Sequence, residues 1–237
     1  MDPNKYTTGT RVAWIAAQAA MNHKYGGTHY NIAGIRFDLV TFGYCERFVR
    51  QSVEAAMQRG EHVWKYAQDN ARNTEAAIKA AGAKPFTSQF ARPGMVVAMN
   101  TNTGKNGHIG ICVRTPDGLQ VAHNTSNRNW CWSYLKRSSS LGTIISPFST
   151  VRPKISGIYP VLPEILVVAP DGNAIDCGAY FDGEAVIANL SVLFRELGKP
   201  IVASAPYGLF RPALESAGYH VDGSQVSDWG IVRLAEV

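Results

Sequence analysis

The period of the apolar residues changes at Pro93-Gly94, and that change dictates the architecture of the larger part of the chain. Upstream, apolar residues recur at three- and four-residue intervals, the spacing of helices buried on one side. A first helix is expected over Arg11–Asn22, capped by Thr7 or Thr10 and stopped by Gly26-Gly27. Residues 28–42 read as irregular. A second helix starts at Tyr44 or Cys45, with Phe48, Val49, Val53 and Ala56 on one face, and Gly60 interrupts it. A third, Ala-rich helix is expected over about His62–Ala81, ending at Gly82. Downstream the pattern is strand-like: Met95–Met99, a polar turn segment at 100–106, then His108–Arg114. The turn signal Thr115-Pro116-Asp117-Gly118 follows, and Leu119–Asn124 completes a hairpin. Helices first and antiparallel strands afterwards define an α+β class.

Two further features bear on organisation. With 237 residues, 46% hydrophobic and 17% charged, the chain has enough apolar material for a real core and too little charge for disorder. No apolar run approaches the ~20 residues that span a bilayer. The formal charge of +5 is unevenly spread: residues 1–145 hold 17 Lys and Arg against 8 Asp and Glu, and residues 146–237 hold 6 against 10. The sign changes in a stretch containing Pro147, Pro153, Pro160 and Pro163. The sequence therefore predicts a basic domain over 1–145, a Pro-rich linker over 146–164 and a small acidic α+β domain over 165–237. In the latter, strands are expected at Ile165–Ala169, Ala174–Cys177 and Gly230–Leu234. Helices are expected at Asn189–Leu197 and near Arg211-Pro212. A basic module suits an anionic partner. The absence of Lys/Arg blocks and of basic–aromatic interleaving argues against nucleic acid. Val12–Ala17 is too short for the ~7–15-residue core of a signal peptide, so no export address is expected there.

Chemistry centres on one cysteine. Cys45, Cys112, Cys131 and Cys177 include no C-x-x-C pair, which excludes a metal knuckle. Cys112 alternates with apolar strand residues as a core thiol does. Cys45 differs because it stands at a helix start behind Gly43. Unpaired N–H groups and the helix dipole at such a position favour a thiolate and can hold an oxyanion. His108 opens a strand between Gly107 and Gly110, and a histidine distant in sequence but adjacent in space is how a cysteine nucleophile acquires its base. A third group should orient the imidazole. His123 and Asn124 end the neighbouring strand. Because side chains alternate across a strand, only one of them can face His108.

Taken together, Gly43-Tyr44-Cys45-Glu46-Arg47-Phe48, Pro93-Gly94-Met95-Val96-Val97 and Gly107-His108-Ile109-Gly110-Ile111 resemble the NlpC-type and CHAP peptidoglycan hydrolases, a papain-like superfamily. The likeness covers about residues 10–135. It implies a papain-like fold, Cys45 as nucleophile and His108 as general base and then acid. An NlpC-like register gives His123 as third residue, and a CHAP-like one gives Asn124. Tyr25-Gly26-Gly27 resembles the Tyr-x-x-Gly-Gly stretch of the NlpC type, which implies an assisting, substrate-binding role for Tyr25. No cofactor or metal is implied. The partner is peptidoglycan, with hydrolysis of an amide of the stem peptide or of its link to the sugar. A phage lysin or virion-associated enzyme is the expected setting, a secreted antibacterial amidase the alternative, and a non-catalytic binding protein the competing class. Residues 165–237 resemble the small domain related to the N-terminal domain of copper amine oxidases. They lack a copper site, with His220 their only histidine, and the likeness implies an accessory domain binding the wall or a phage-tail partner.

Overall fold

A computed structural model describes residues 8–57, 64–83, 85–88, 91–100, 105–126, 142–161, 165–181, 186–199, 207–222 and 230–236. Thr7 and Cys131, considered above, lie outside these. The chain divides into two compact units, Met1–Val161 and Leu162–Val237.

In the first unit, α1 (Thr8–Lys24) leads into the hairpin β1 (His29–Ile32) and β2 (Ile35–Asp38), then α2 (Cys45–Met57) and α3 (Ala71–Ala80). Strands β3 (Val96–Met99), β4 (His108–Thr115), β5 (Gly118–Thr125) and β6 (Gly142–Pro147) follow. A short helix α4 (Phe148–Val151) and a 3-10 turn then precede β7 (Ile155–Tyr159). The five later strands form an antiparallel sheet in the order β6-β5-β4-β3-β7. Both α1 and α2 pack on β4 and β5. Val12, Ile15, Ala16 and Ala19 of α1 and Phe48, Val49 and Val53 of α2 lie on the buried stripes of these helices. Each large apolar side chain so buried contributes about 1.5–3 kcal/mol. The sequence-derived class, helices followed by antiparallel strands, is what forms.

Three expectations change. The irregular stretch 28–42 contains the β1–β2 hairpin, turned by Ala33 and Gly34 at φ 51° and 76°. Both central residues have positive φ, as a type I′ turn requires, and alanine at the first of them hides the signal. The third helix begins only at Ala71. Asn70 caps it, its side chain accepting from Asn73 N–H at 3.0 Å. Upstream, the buried Trp64 donates its indole N–H to the Val161 carbonyl at 2.8 Å, a tertiary anchor that overrides local helix preference. Residues 62–63 of the expected helix lie outside those described.

The Pro-rich linker is also corrected. Residues 146–161 belong to the first unit, and β7 pairs with β3. Pro147 closes β6 and caps α4, Pro153 sits in the first turn of the 3-10 segment, and Pro160 follows the last residue of β7. Each proline lies where no backbone N–H is needed, so the residues that read as breakers are punctuation inside a domain. Pro163 lies outside the described residues. The corrected boundary gives the first unit 19 Lys and Arg against 8 Asp and Glu, and the second 4 against 10.

The second unit has a six-stranded sheet in the order β11-β10-β9-β8-β13-β12. Its members are β8 (Ile165–Val168), β9 (Ala174–Phe181), β10 (Val186–Asn189), β11 (Tyr207–Leu209), β12 (Tyr219–Asp222) and β13 (Gly230–Glu236). The β13–β8 pair is parallel and the others antiparallel. Helices α5 (Leu190–Glu196) and α6 (Phe210–Ser216) contribute Leu193, Phe194 and Leu214 to a core with Val167, Ile175 and Cys177. The small α+β domain expected from residue 165 onward is present. Its sequence reading missed β10, β11 and β12, which are short.

Candidate active site

A cleft of about 310 Å³ opens where the starts of α2 and α3 meet the ends of β4 and β5. Gly43 through Arg47 line one wall, Asp69, Asn70 and Ala71 another, and Asn106, Gly107, His108, Asn124, Thr125 and Ser126 complete it. Cys45 is the first residue of α2, behind Gly43 at φ 88°, a conformation in which a side chain is strained. Helix geometry gives the amides of residues 44–47 no acceptor within α2. Tyr44 N–H is satisfied from outside by Asn124 Oδ1 at 3.1 Å. The remaining first-turn amides belong to Cys45, Glu46 and Arg47, at the wall of the cleft.

His108 and His123 meet across β4 and β5. Nε2 of His108 lies 2.7 Å from Nδ1 of His123, with the rings edge to face. Nε2 of His123 in turn lies 2.8 Å from the Ser146 hydroxyl on β6. The rings touch because Gly110 has no side chain: a Cβ there would stand 3.0 Å from His123 Cβ and 2.7 Å from Val121 Cγ1. This is the physical content of the Gly-His-Ile-Gly run. His108 is 8% exposed, on the cleft, and His123 is fully buried behind it.

Alternation is obeyed. His123 points to His108, while Asn124 points the other way and holds the turn before Cys45. Its Nδ2 donates to Thr41 O at 2.7 Å and Thr143 Oγ1 at 3.3 Å, while its Oδ1 takes the Tyr44 amide. Asp38 stiffens the same turn by accepting from the amides of Val40 and Thr41, and the Thr41 hydroxyl holds its carboxyl below the usual range. Of the two alternatives for the residue beside His108, the geometry selects His123.

Burial governs protonation here. It pushes the Cys45 thiol up, outweighing the amides of Ile109 and Glu46 that pull it down. The same loss of water pushes His123 down to about 3 and His108 well below its ordinary value, the latter helped by His123 and Lys154. The dipole-stabilised thiolate expected from the helix start is therefore not the resting form; thiol and imidazoles are neutral near pH 7. Glu46, beside Cys45, is also buried. Its carboxyl is pushed up by burial and partly pulled back by Arg50, whose Nε lies 3.9 Å away.

Tyr25 does not take part. It is 78% exposed beyond the end of α1 and is not among the residues lining the cleft. The tyrosine that does line it is Tyr44, 48% exposed, with the Arg47 guanidinium 5.5 Å from its ring centroid. Sequence reasoning missed Tyr44, Asp69, Asn70 and Ser146. Asp69 and Asn70 were placed inside a helix and Ser146 inside a linker, so nothing local marked them. Cys112 and Cys177 are buried, and burial pushes the Cys112 thiol far up. Among the described residues no group of three or more His, Cys, Asp or Glu could hold a metal ion, and no helix is long and apolar enough to cross a membrane. No protein-family model, curated protein or solved structure matches the chain.

Proposed function

We propose that the first unit is a papain-like cysteine hydrolase that cleaves an amide bond of peptidoglycan. The observation that carries the catalytic part is the shared cleft: Cys45 at a helix start and His108 line it together, with the far nitrogen of His108 held 2.7 Å from His123. In this reading the Cys45 thiol gives its proton to His108 as sulfur attacks the carbonyl carbon. First-turn amides of α2 stabilise the oxyanion. His108 then protonates the leaving amine, and water, deprotonated by His108, releases the acyl-enzyme as a carboxylic acid and restores the thiol. Such general acid–base help is worth about 10²–10⁴-fold.

Peptidoglycan as substrate rests on the likeness of the cysteine and histidine runs to wall hydrolases, and on the excess of 19 basic over 8 acidic residues in the first unit. An anionic polymer meets such a surface favourably, in a salt-dependent way. The second unit serves as an accessory module. The test is mass spectrometry of muropeptides released from purified sacculi. The native protein should release new amide-cleavage products, and Cys45→Ala should release none while keeping its melting temperature. Equal release by the alanine variant would end this reading.

A further inference from the structure

The histidine relay does not stop at His123, and what lies beyond it decides whether His108 is a base. Ser146 is fully buried, and its hydroxyl is 2.8 Å from Nε2 of a fully buried His123. Both rings are neutral, so each carries one hydrogen, and the His108–His123–Ser146 chain can run in two directions. If Ser146 donated to Nε2, His123 would donate from Nδ1 and His108 would carry its hydrogen on Nδ1. The unprotonated nitrogen of His108 would then be Nε2, which faces His123 and cannot take the thiol proton. In the opposite direction His108 keeps Nδ1 unprotonated.

We propose that Ser146 is a positioning residue for this chemistry: its hydroxyl oxygen accepts from Nε2–H of His123, whose Nδ1 accepts from Nε2–H of His108. The inference rests on the cysteine-hydrolase reading, since only that reading requires Nδ1 of His108 to be basic. It adds a residue that the family likeness did not carry. The member beyond His123 is a neutral hydroxyl that brings no charge. It fixes which nitrogen holds the hydrogen and leaves both rings uncharged, as their burial demands. Because β6 pairs with β5 through Val121↔Ser146 and His123↔Ile144, strand register delivers the hydroxyl.

The test reads tautomers directly. Long-range ¹H–¹⁵N correlation spectra of the full chain at pH 7 distinguish the hydrogen-bearing nitrogen of each neutral ring from the bare one. The native protein should show Nε2–H for both His108 and His123. Nδ1–H at His123 would overturn the proposal, with no substrate needed. Ser146→Ala should leave the fold intact, mix the tautomers and lower kcat on sacculi by about tenfold with KM little changed, the loss of one hydrogen bond's worth of positioning. Ser146→Thr, which keeps the hydroxyl, should recover both. Unaltered tautomers and kcat in the alanine variant would refute the role of Ser146. A native protein inactive on sacculi would remove the peptidoglycan reading, while the spectrum would still decide the relay.

Discussion

Acidification should unfold the first unit through His123, and the size of the effect follows from its burial. In the unfolded chain this imidazole titrates near 6.5, and in the fold its pKa falls to about 3. A group whose folded pKa is lowered because its neutral form is buried favours folding above the unfolded pKa. As pH falls below 6.5 the unfolded state gains a proton that the native state refuses, and stability drops by about 1.4 kcal/mol per pH unit. Between pH 7.5 and 4.5 this amounts to about 3 kcal/mol from His123 alone, a large share of a typical 5–15 kcal/mol. His108, also lowered, acts in the same direction. Glu46 opposes them, because its raised carboxyl binds a proton in the fold before it does in the unfolded chain. The measurement is urea unfolding by tryptophan fluorescence at several pH values. Trp14, Trp64, Trp130 and Trp132 all lie in the first unit, so the signal reports mainly on it. His123→Gln has lower absolute stability but cannot titrate, and its loss between pH 7.5 and 4.5 should be smaller by about 3 kcal/mol. Parallel losses in the two proteins would refute this account of the buried relay.

Three other outcomes are expected. Alkylation of Cys45 by iodoacetamide, followed by peptide mass spectrometry, should keep accelerating above pH 8, because burial lifts the thiol. A plateau near neutral pH would show a preformed thiolate. Gly110→Ala should cost about 1–3 kcal/mol and most of the activity, since the new methyl meets Val121, the Ala122 carbonyl and His123; thermal melts and turnover check it. Asn124→Ala should cost about 1–3 kcal/mol by stranding the Tyr44 amide and the Thr41 carbonyl, and should slow turnover without moving the His108–His123 resonances.

Much of the site was legible because its parts are local. Gly43 before Cys45 marks a helix start, and glycines around His108 mark a close backbone approach; both are short-range steric facts that residue order reveals. The His123 and Asn124 choice was legible only as a choice. Alternation requires opposite faces, but which face meets β4 depends on pairing β4 with β5, where Ile111 lies opposite Ala122. Tyr25 illustrates the opposite failure. It resembled a Tyr-Gly-Gly stretch in composition yet stands in solvent, because position along the chain says nothing of which surface the end of α1 presents.

The sequence by itself therefore determined the class, helices before antiparallel strands, and singled out Cys45 and His108, which line one cleft. Periodicity and backbone sterics act within a few residues and survive being read in one dimension. Tertiary structure alone decided the rest. Pro147, Pro153 and Pro160 punctuate a domain instead of linking two, the third helix starts at its Asn70 cap, and Ser146 closes the relay on His123. It also decided the charge of the site. A helix start favours a thiolate, but the water removed by packing costs more than the dipole returns, so Cys45 and both histidines rest neutral. Desolvation is a property of everything packed around a group, and no stretch of neighbouring residues encodes it.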